Sequence, residues 1–332
     1  MSETQRIRYL DGWRGAAILS LLLGHFVRIP YINCGRLGVE MFFVLSGSLM
    51  GRILFLKMET LPVFYKRRIS RILPAAYVFI TVYILYGLLR RHPFSLIETS
   101  AAYLFWINYA RNIVPINISF DHLWSLAVEE HTYIVLSLVA LLHRKKGLEP
   151  IAMLLLLIGT CFVSMVLHGV TAGWDYYRVF WRSDVRAASI LMGALFVLIS
   201  AKMRVRPSAI WEKLSSPAPL LILLLFGILL QIACVPDPIK YTLGTCLLAF
   251  FVANMQNLSA SVQNFFSNPL FVQMGIWSYS IYLWQQPFIS RKVVGLPFAL
   301  CLGIASFYLI EQPARKYLNR VWAKRAVEAV PA

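Results

Sequence analysis

Three ionisable side chains stand inside the first apolar run of this chain: Asp11, Arg14 and His25. A charged group at the middle of a membrane helix costs at least ~2.5 to 3.5 kcal/mol, so ionisable residues kept in apolar helices are functional candidates by default. An imidazole can take and return a proton near neutral pH, and a guanidinium can clamp an anionic group. Arg14 and His25 are eleven residues apart. That is about three helical turns, which predicts one shared face and ~16 Å of axial separation. From this helix alone, His25 reads equally as an interfacial histidine satisfied by a headgroup or a backbone carbonyl.

A second group lies in His122-Leu123-Trp124-Ser125-Leu126-Ala127-Val128-Glu129-Glu130-His131-Thr132-Tyr133. At about 100° per residue, His122, Ser125, Glu129 and Tyr133 share one stripe, while Glu130 sides with Leu126, Ala127 and Ile134. Glu129 is therefore expected to face a polar cavity. Pairing with an arginine from another helix is the alternative for both carboxylates, and it weighs more on Glu130. Further along, Tyr279, Tyr282 and Gln286 recur at helical spacing next to Gln285. The tyrosines read also as an interfacial aromatic belt; the glutamine pair is less easily explained that way. Arg68 and Arg71 are spaced to project two guanidiniums from one side of a helix, which suits bidentate phosphate binding. A topogenic basic cluster touching anionic lipid accounts for them as well.

The elements that must hold these residues are membrane helices. Of 332 residues, 59% are hydrophobic and 14% charged, against roughly 45 to 50% and about 25% in soluble domains. The sequence predicts an all-α, polytopic bundle of about ten transmembrane helices, near 10–27, 37–56, 71–89, 123–142, 149–168, 185–201, 217–234, 239–255, 269–290 and 294–311. The net charge of +17 comes from Lys and Arg in short loops rather than from a polar domain, which argues for membrane topology and against nucleic-acid binding. The richest basic segments are 57–71, 143–146, 202–213 and 315–325, and Arg6 and Arg8 precede the first run. All of them fall on the cytoplasmic side only if the short segment 94–109 does not cross, so that segment is expected to be re-entrant or interfacial. The first run carries Arg14 near its start and no small-residue cleavage site after it, and reads as a retained helix. The five cysteines show no CxxC pairing and no histidine partners at zinc spacing, so no metal site is expected. With no repeat and no Gly/Ser linker, residues 1–332 are expected to form a single domain with a short basic cytoplasmic tail from about 313.

Taken together, the motifs resemble the membrane acyltransferase-3 family, bacterial O-acyltransferases of surface polysaccharides, lipopolysaccharide and Nod factors. Tyr9-Leu10-Asp11-Gly12-Trp13-Arg14-Gly15 followed by His25 is similar to the family's Arg-x10-His opening helix. Gly38-Val39-Glu40-Met41-Phe42-Phe43-Val44-Leu45-Ser46-Gly47 is similar to its second-helix signature, and residues 64–74 to its Arg-x-x-Arg motif. Residues 124–133 resemble the Trp-Ser-Leu-x-Val-Glu-Glu block, and Glu311-Gln312-Pro313-Ala314-Arg315 the closing motif. Many relatives also carry an extracytoplasmic hydrolase-like domain, which these 332 residues do not contain.

The resemblance implies a bacterial inner-membrane protein with cytoplasmic termini that moves an acetyl or other short acyl group from acyl-CoA, with acetyl-CoA the expected donor, to a hydroxyl of a glycan or lipid-linked glycan. It makes His25 the catalytic residue and assigns Arg14, Arg68 and Arg71 to the acyl donor; Glu129, by analogy with the orienting carboxylates of other acyl-transfer sites, is expected to hold the imidazole in its productive tautomer. Asp11, Ser46, Glu130, Tyr133, Tyr282 and Gln285 are expected in support. One departure stands out: relatives usually show Tyr-Leu-Trp-His-x-Pro where this chain has Tyr282-Leu283-Trp284-Gln285-Gln286-Pro287. A role carried by that histidine does not transfer, since a glutamine can only hydrogen-bond. The rival reading is a glycan exporter or proton-coupled transporter, which buried Arg, Glu and His would suit, although inverted repeats and paired broken helices are not evident. The basic and aromatic segment 173–182 suggests sugar stacking, or again an interfacial belt.

Overall fold

The computed structural model describes residues 7–27 and 29–328, with side chains through 324. Arg6 and the side chain of Arg325, counted above among the basic residues, lie outside the described residues. Among these, the fold is helical throughout, with one isolated bridge between Ile32 and Ile232 and no strand. In chain order the helices are α1 (Arg8–Leu22), α2 (Cys34–Gly51), α3 (Leu61–Leu89), α4 (Leu96–Tyr103), α5 (Ile107–Ala110) and α6 (Leu123–Lys146). There follow α7 (Pro150–Ala172), α8 (Tyr176–Phe180), α9 (Ser183–Val205), α10 (Ala209–Leu214), α11 (Pro217–Leu229) and α12 (Asp237–Ile239). The last are α13 (Thr245–Asn254), α14 (Ala260–Phe266), α15 (Pro269–Gln285), α16 (Gly295–Ser306) and α17 (Gln312–Glu328). Four π turns interrupt or extend them, at Leu23–Val27, Arg52–Leu56, Lys240–Gly244 and Phe307–Glu311.

Seven helical stretches among the described residues are long and apolar enough to cross a membrane, so the expected count of about ten is not confirmed. The three differences have separate causes. Arg8–Val27 is helical but is not among the seven, because Asp11, Arg14 and His25 dilute its apolar character. Pro217–Leu229 is apolar but only 13 residues long, short of the roughly 20 that span hydrocarbon. The two runs expected at 269–290 and 294–311 fall within the single stretch Pro269–Lys324, where a kink in the 3-10 segment Gln286–Val294 separates α15 from α16. Pro287 cannot donate to a helical ladder, and Lys292 there takes a left-handed φ of 49°. Segment 94–109 forms only the short α4 and α5, neither of spanning length.

The chain divides into two compact units, each drawn from two stretches: Met1–Met58 with Trp124–Ser278, and Glu59–Leu123 with Tyr279–Ala332. Two of the three divisions fall within α6 and α15, and the third, between Met58 and Glu59, falls in the short turn before α3.

In the first unit, glycines let helix backbones meet. A Cβ on Gly47 would lie 1.8 Å from the Ile190 carbonyl oxygen, and one on Gly193 would lie 2.2 Å from that of Val44, so α2 and α9 cross in near contact. Small residues at such crossings are the usual means of helix association in lipid. Trp13 anchors α1 by donating its indole N–H to the Met41 carbonyl at 3.1 Å while its ring packs on Phe251 and Phe266.

In the second unit, α3 packs against α17, where Ser70 Oγ donates to Asn319 Oδ1 at 3.2 Å. Pro74 interrupts the α3 ladder, and two residues before it Tyr279 Oη donates to the Ile72 carbonyl at 2.8 Å. Phe79, buried at the centre of the unit, meets both His122 and Trp284 edge-on at ring distances of 5.4 and 5.3 Å.

Candidate active site

His25 sits in the π turn that continues α1 and is half-buried. A π turn widens the hydrogen-bond loop to i→i+5 and recurs at functional sites, so the α-helical phase that put His25 on the Arg14 face stops at Leu22. The edge of the ring rests on α2: a Cβ on Gly35 would stand 3.1 Å from both Cδ2 and Nε2 of His25. Gly24 closes the same contact, since its Cβ would lie 2.0 Å from the Gly35 nitrogen. Lower on α1, Arg14 donates to Asp11 Oδ1 at 3.1 Å, an i, i+3 ion pair with both side chains largely buried.

On α6, Glu129 and Glu130 are both half-buried, but their surroundings differ. Tyr133, one turn on and 1% exposed, donates its hydroxyl to Glu129 Oε2 at 3.1 Å. Ser46 Oγ makes a short contact with the same hydroxyl. A tyrosine has one proton to give, so Ser46 is the donor and the three form a chain, Ser46 to Tyr133 to Glu129. Glu130 lies a turn before Ile134, which is 60% exposed.

Reasoning from sequence passed over the most deeply buried charges of this unit. Arg186 of α9 donates to Glu40 Oε2 at 2.5 Å, Thr245 Oγ1 donates to Glu40 Oε1 at 2.5 Å, and both charged side chains are at most 1% exposed. The Arg186 guanidinium also lies 3.9 Å from the ring centre of Tyr241, in the π turn at Lys240–Gly244. The signal was available: Glu40 is an acid within an apolar run, and Arg186 a base at the head of another.

The second unit holds the remaining candidates. Arg68 and Arg71 are both half-buried on α3 at i, i+3, while exposed Arg67 pairs with Glu59 at 2.5 Å. Arg71 makes no hydrogen bond or ion pair among the described residues, which leaves its guanidinium open to a ligand. Tyr282 donates to the His122 carbonyl at 2.5 Å and packs on its ring, so it serves a buried aromatic cluster. Gln285, fully buried, donates to Gln286 Oε1 at 3.3 Å. Ser280 donates to Glu311 of the closing motif at 2.7 Å. Below the end of α5, Arg111 donates to Asp121 at 2.5 Å, and the Asn117 N–H donates to Glu98 at 2.5 Å. Burial pushes the Asp121 carboxyl up to about 6, Arg111 opposing and Glu98 adding to the rise. Burial raises Glu98 as well, against hydrogen bonds from the Asn117 and Ser95 backbones. No group of three metal-ligating side chains occurs among the described residues.

A family model described as "Acyltransferase domain" matches residues 7–291. The chain belongs to the acyltransferase-3 family. It is 26% identical over 92% of its length to the peptidoglycan O-acetyltransferase OatA of Listeria monocytogenes, covering 55% of that protein. It is 28% identical over 87% of its length to a Staphylococcus aureus protein named "Putative O-acetyltransferase", covering 52% of it. To the "Putative peptidoglycan O-acetyltransferase YrhL" of Bacillus subtilis it is 28% identical over 97% of its length, covering 57%. The chain thus spans about half the length of the curated relatives it matches. No solved structure matches it. As a member of the acyltransferase-3 family with several spanning helices, it is a multi-pass membrane protein.

Proposed function

We propose that this chain is a membrane O-acetyltransferase that moves an acetyl or other short acyl group from acyl-CoA to a hydroxyl of a cell-surface glycan. The observation that carries the reading is the family match over residues 7–291, with relatives named for peptidoglycan O-acetylation. Peptidoglycan therefore joins exopolysaccharide and lipopolysaccharide among the acceptors to be tried.

A sugar hydroxyl is a weak nucleophile at neutral pH, and a positioned base contributes about 10² to 10⁴-fold. His25 is the group suited to that task, a half-buried imidazole steadied against Gly35. It takes the hydroxyl proton as the glycan oxygen bonds to the acyl carbon; the C–S bond then breaks, and the departing thiolate collects the proton from the imidazolium. Glu129, accepting from Tyr133, supplies negative charge in the same unit. Arg71, open to a ligand, and Arg68 beside it are suited to the donor's phosphates, with Arg14 held ready by Asp11. The basic loops support a reading in which these arginines and both termini face the cytoplasmic side of a bacterial inner membrane, the side that supplies acyl-CoA.

The test is acetyl transfer from labelled acetyl-CoA to isolated surface glycans by purified protein and by His25→Ala. Loss of about 10²-fold or more in a variant that inserts normally supports the reading. Undiminished transfer by His25→Ala removes His25 from the chemistry, and the absence of transfer to every glycan by the wild type removes the function.

A further inference from the structure

A cavity of about 230 Å³ opens in the first unit where α9 ends and α10 begins, lined among others by Arg204, Trp211, Glu212, Asn254 and Asn257. None of these residues belongs to the candidate active site. The volume is below the roughly 300 to 1,000 Å³ of pockets that enclose a whole drug-sized ligand, so the cavity suits one end of a larger molecule.

Its chemistry is specific. Arg204 is exposed and has no hydrogen bond or ion pair among the described residues, although Glu212 lines the same cavity. Beside it, Arg52 donates to Gln256 Oε1 at 3.2 Å, and Arg52 and Arg204 are close enough to repel one another. Two like charges held close together are relieved by an anion, and guanidiniums match phosphate geometry in particular. Asn254 is fully buried, fixed by Ser200 donating to its Oδ1 at 3.0 Å and by its own Nδ2 donating to the Phe250 carbonyl at 2.9 Å. A carboxamide so held is a rigid part of the cavity floor rather than a group offered to a ligand. Trp211 is half-buried and braced by Phe250 at a ring distance of 4.9 Å, a rigid surface on which a base can stack.

We propose that this cavity binds the phosphorylated adenosine end of the acyl-CoA donor, with the base stacked on Trp211 and a phosphate between Arg52 and Arg204. The inference rests on the acyl-CoA reading of function. Both arginines adjoin the basic segments 57–71 and 202–213, on the side assigned to the cytoplasm.

The experiment is titration calorimetry on the full chain in nanodiscs of neutral phosphatidylcholine, with CoA and with 4′-phosphopantetheine, which lacks the nucleotide. Arg204→Gln and Trp211→Ala are each expected to weaken CoA about tenfold, the loss of one base stack or one phosphate contact. Neither should change 4′-phosphopantetheine binding by more than about twofold, and Trp211→Phe and Arg204→Lys should recover part of the CoA affinity. Arg204 is exposed and without partners, so its variants leave the fold intact. Equal losses for both ligands, or none for CoA, overturn the inference. So does CoA affinity that loses its dependence on Arg204 when phosphatidylglycerol is added, which would mark a lipid-headgroup site. If CoA binds with this dependence while acetyl transfer to glycans fails, the nucleotide site stands and the transferase reading falls; if CoA does not bind, the site falls.

Discussion

Tyr133 Oη donates to Glu129 Oε2 at 3.1 Å across a single turn of α6, and Ser46 of α2 closes the chain from the other side. Removing the hydroxyl with Tyr133→Phe keeps the buried ring but leaves two polar neighbours short of a partner. A cost of about 1 to 3 kcal/mol in unfolding is expected, read as a lower Tm in detergent. Ser46→Ala added to Tyr133→Phe should cost less than the two changes summed, because they sever one chain. Strict additivity would show that the serine and the tyrosine act independently.

Gly35 is where a single methyl group reports on His25. An alanine there would put its Cβ 3.1 Å from the imidazole, which must then give way by a few tenths of an ångström. Misplacement of about 1 Å can cost about 10² in rate, and this smaller shift is expected to lower acetyl transfer about tenfold. Initial-rate measurements on Gly35→Ala, with membrane insertion checked by protease protection, decide the matter. A wild-type rate would mean that the ring position is not critical.

The Glu40–Arg186 pair should be costly to break and cheaper to replace. Arg186→Met leaves a carboxyl with at most 1% exposure facing an apolar side chain, and a loss of about 3 to 5 kcal/mol is expected. Adding Glu40→Gln should restore a large part of it, seen as recovered Tm and recovered yield in the membrane fraction. A double variant no better than Arg186→Met would show that the carboxyl is not what suffers.

Asp121 gives the second unit a pH dependence with a definite sign. Its carboxyl ordinarily titrates at 3.8 and in the fold at about 6, so between these values the native state holds a proton that the unfolded chain has lost. Stability from this group is complete below 3.8 and falls as pH rises to about 6, by about 3 kcal/mol at most. Thermal unfolding followed from pH 4 to pH 7 should show this decline, and Asp121→Asn should flatten it. A Tm that climbs over the same interval in the wild type but not in the variant would reverse the assignment.

What could be read from the sequence divides along physical lines. The Glu129–Tyr133 contact was legible because i, i+4 neighbours meet on any helix, and the Arg68/Arg71 spacing for the same reason. Glu40 and Arg186 were each conspicuous, yet 146 residues separate them and helical periodicity carries no information about which distant helix lies opposite. The π turns at His25 and Tyr241 escaped notice because hydropathy does not register one extra residue in a turn. The number of spans was only partly legible for a related reason. An apolar run shows where a helix is tolerated in lipid, but not that Pro217–Leu229 ends early or where a kink such as the one at Lys292 falls.

The distance between Glu40 and Arg186 along the chain also orders the protein's manufacture. Ribosomes add about 5 to 20 residues per second, so α2 leaves the exit tunnel roughly 7 to 30 s before the arginine that will neutralise it has been made. Through that interval the nascent α2 holds a solitary acid in a segment otherwise fit for lipid, at a cost of about 2.5 to 3.5 kcal/mol if it enters hydrocarbon charged. Pairing with Arg186 can lift that cost only once α9 has been made, so a translational pause between the two helices lengthens the time for which α2 bears it.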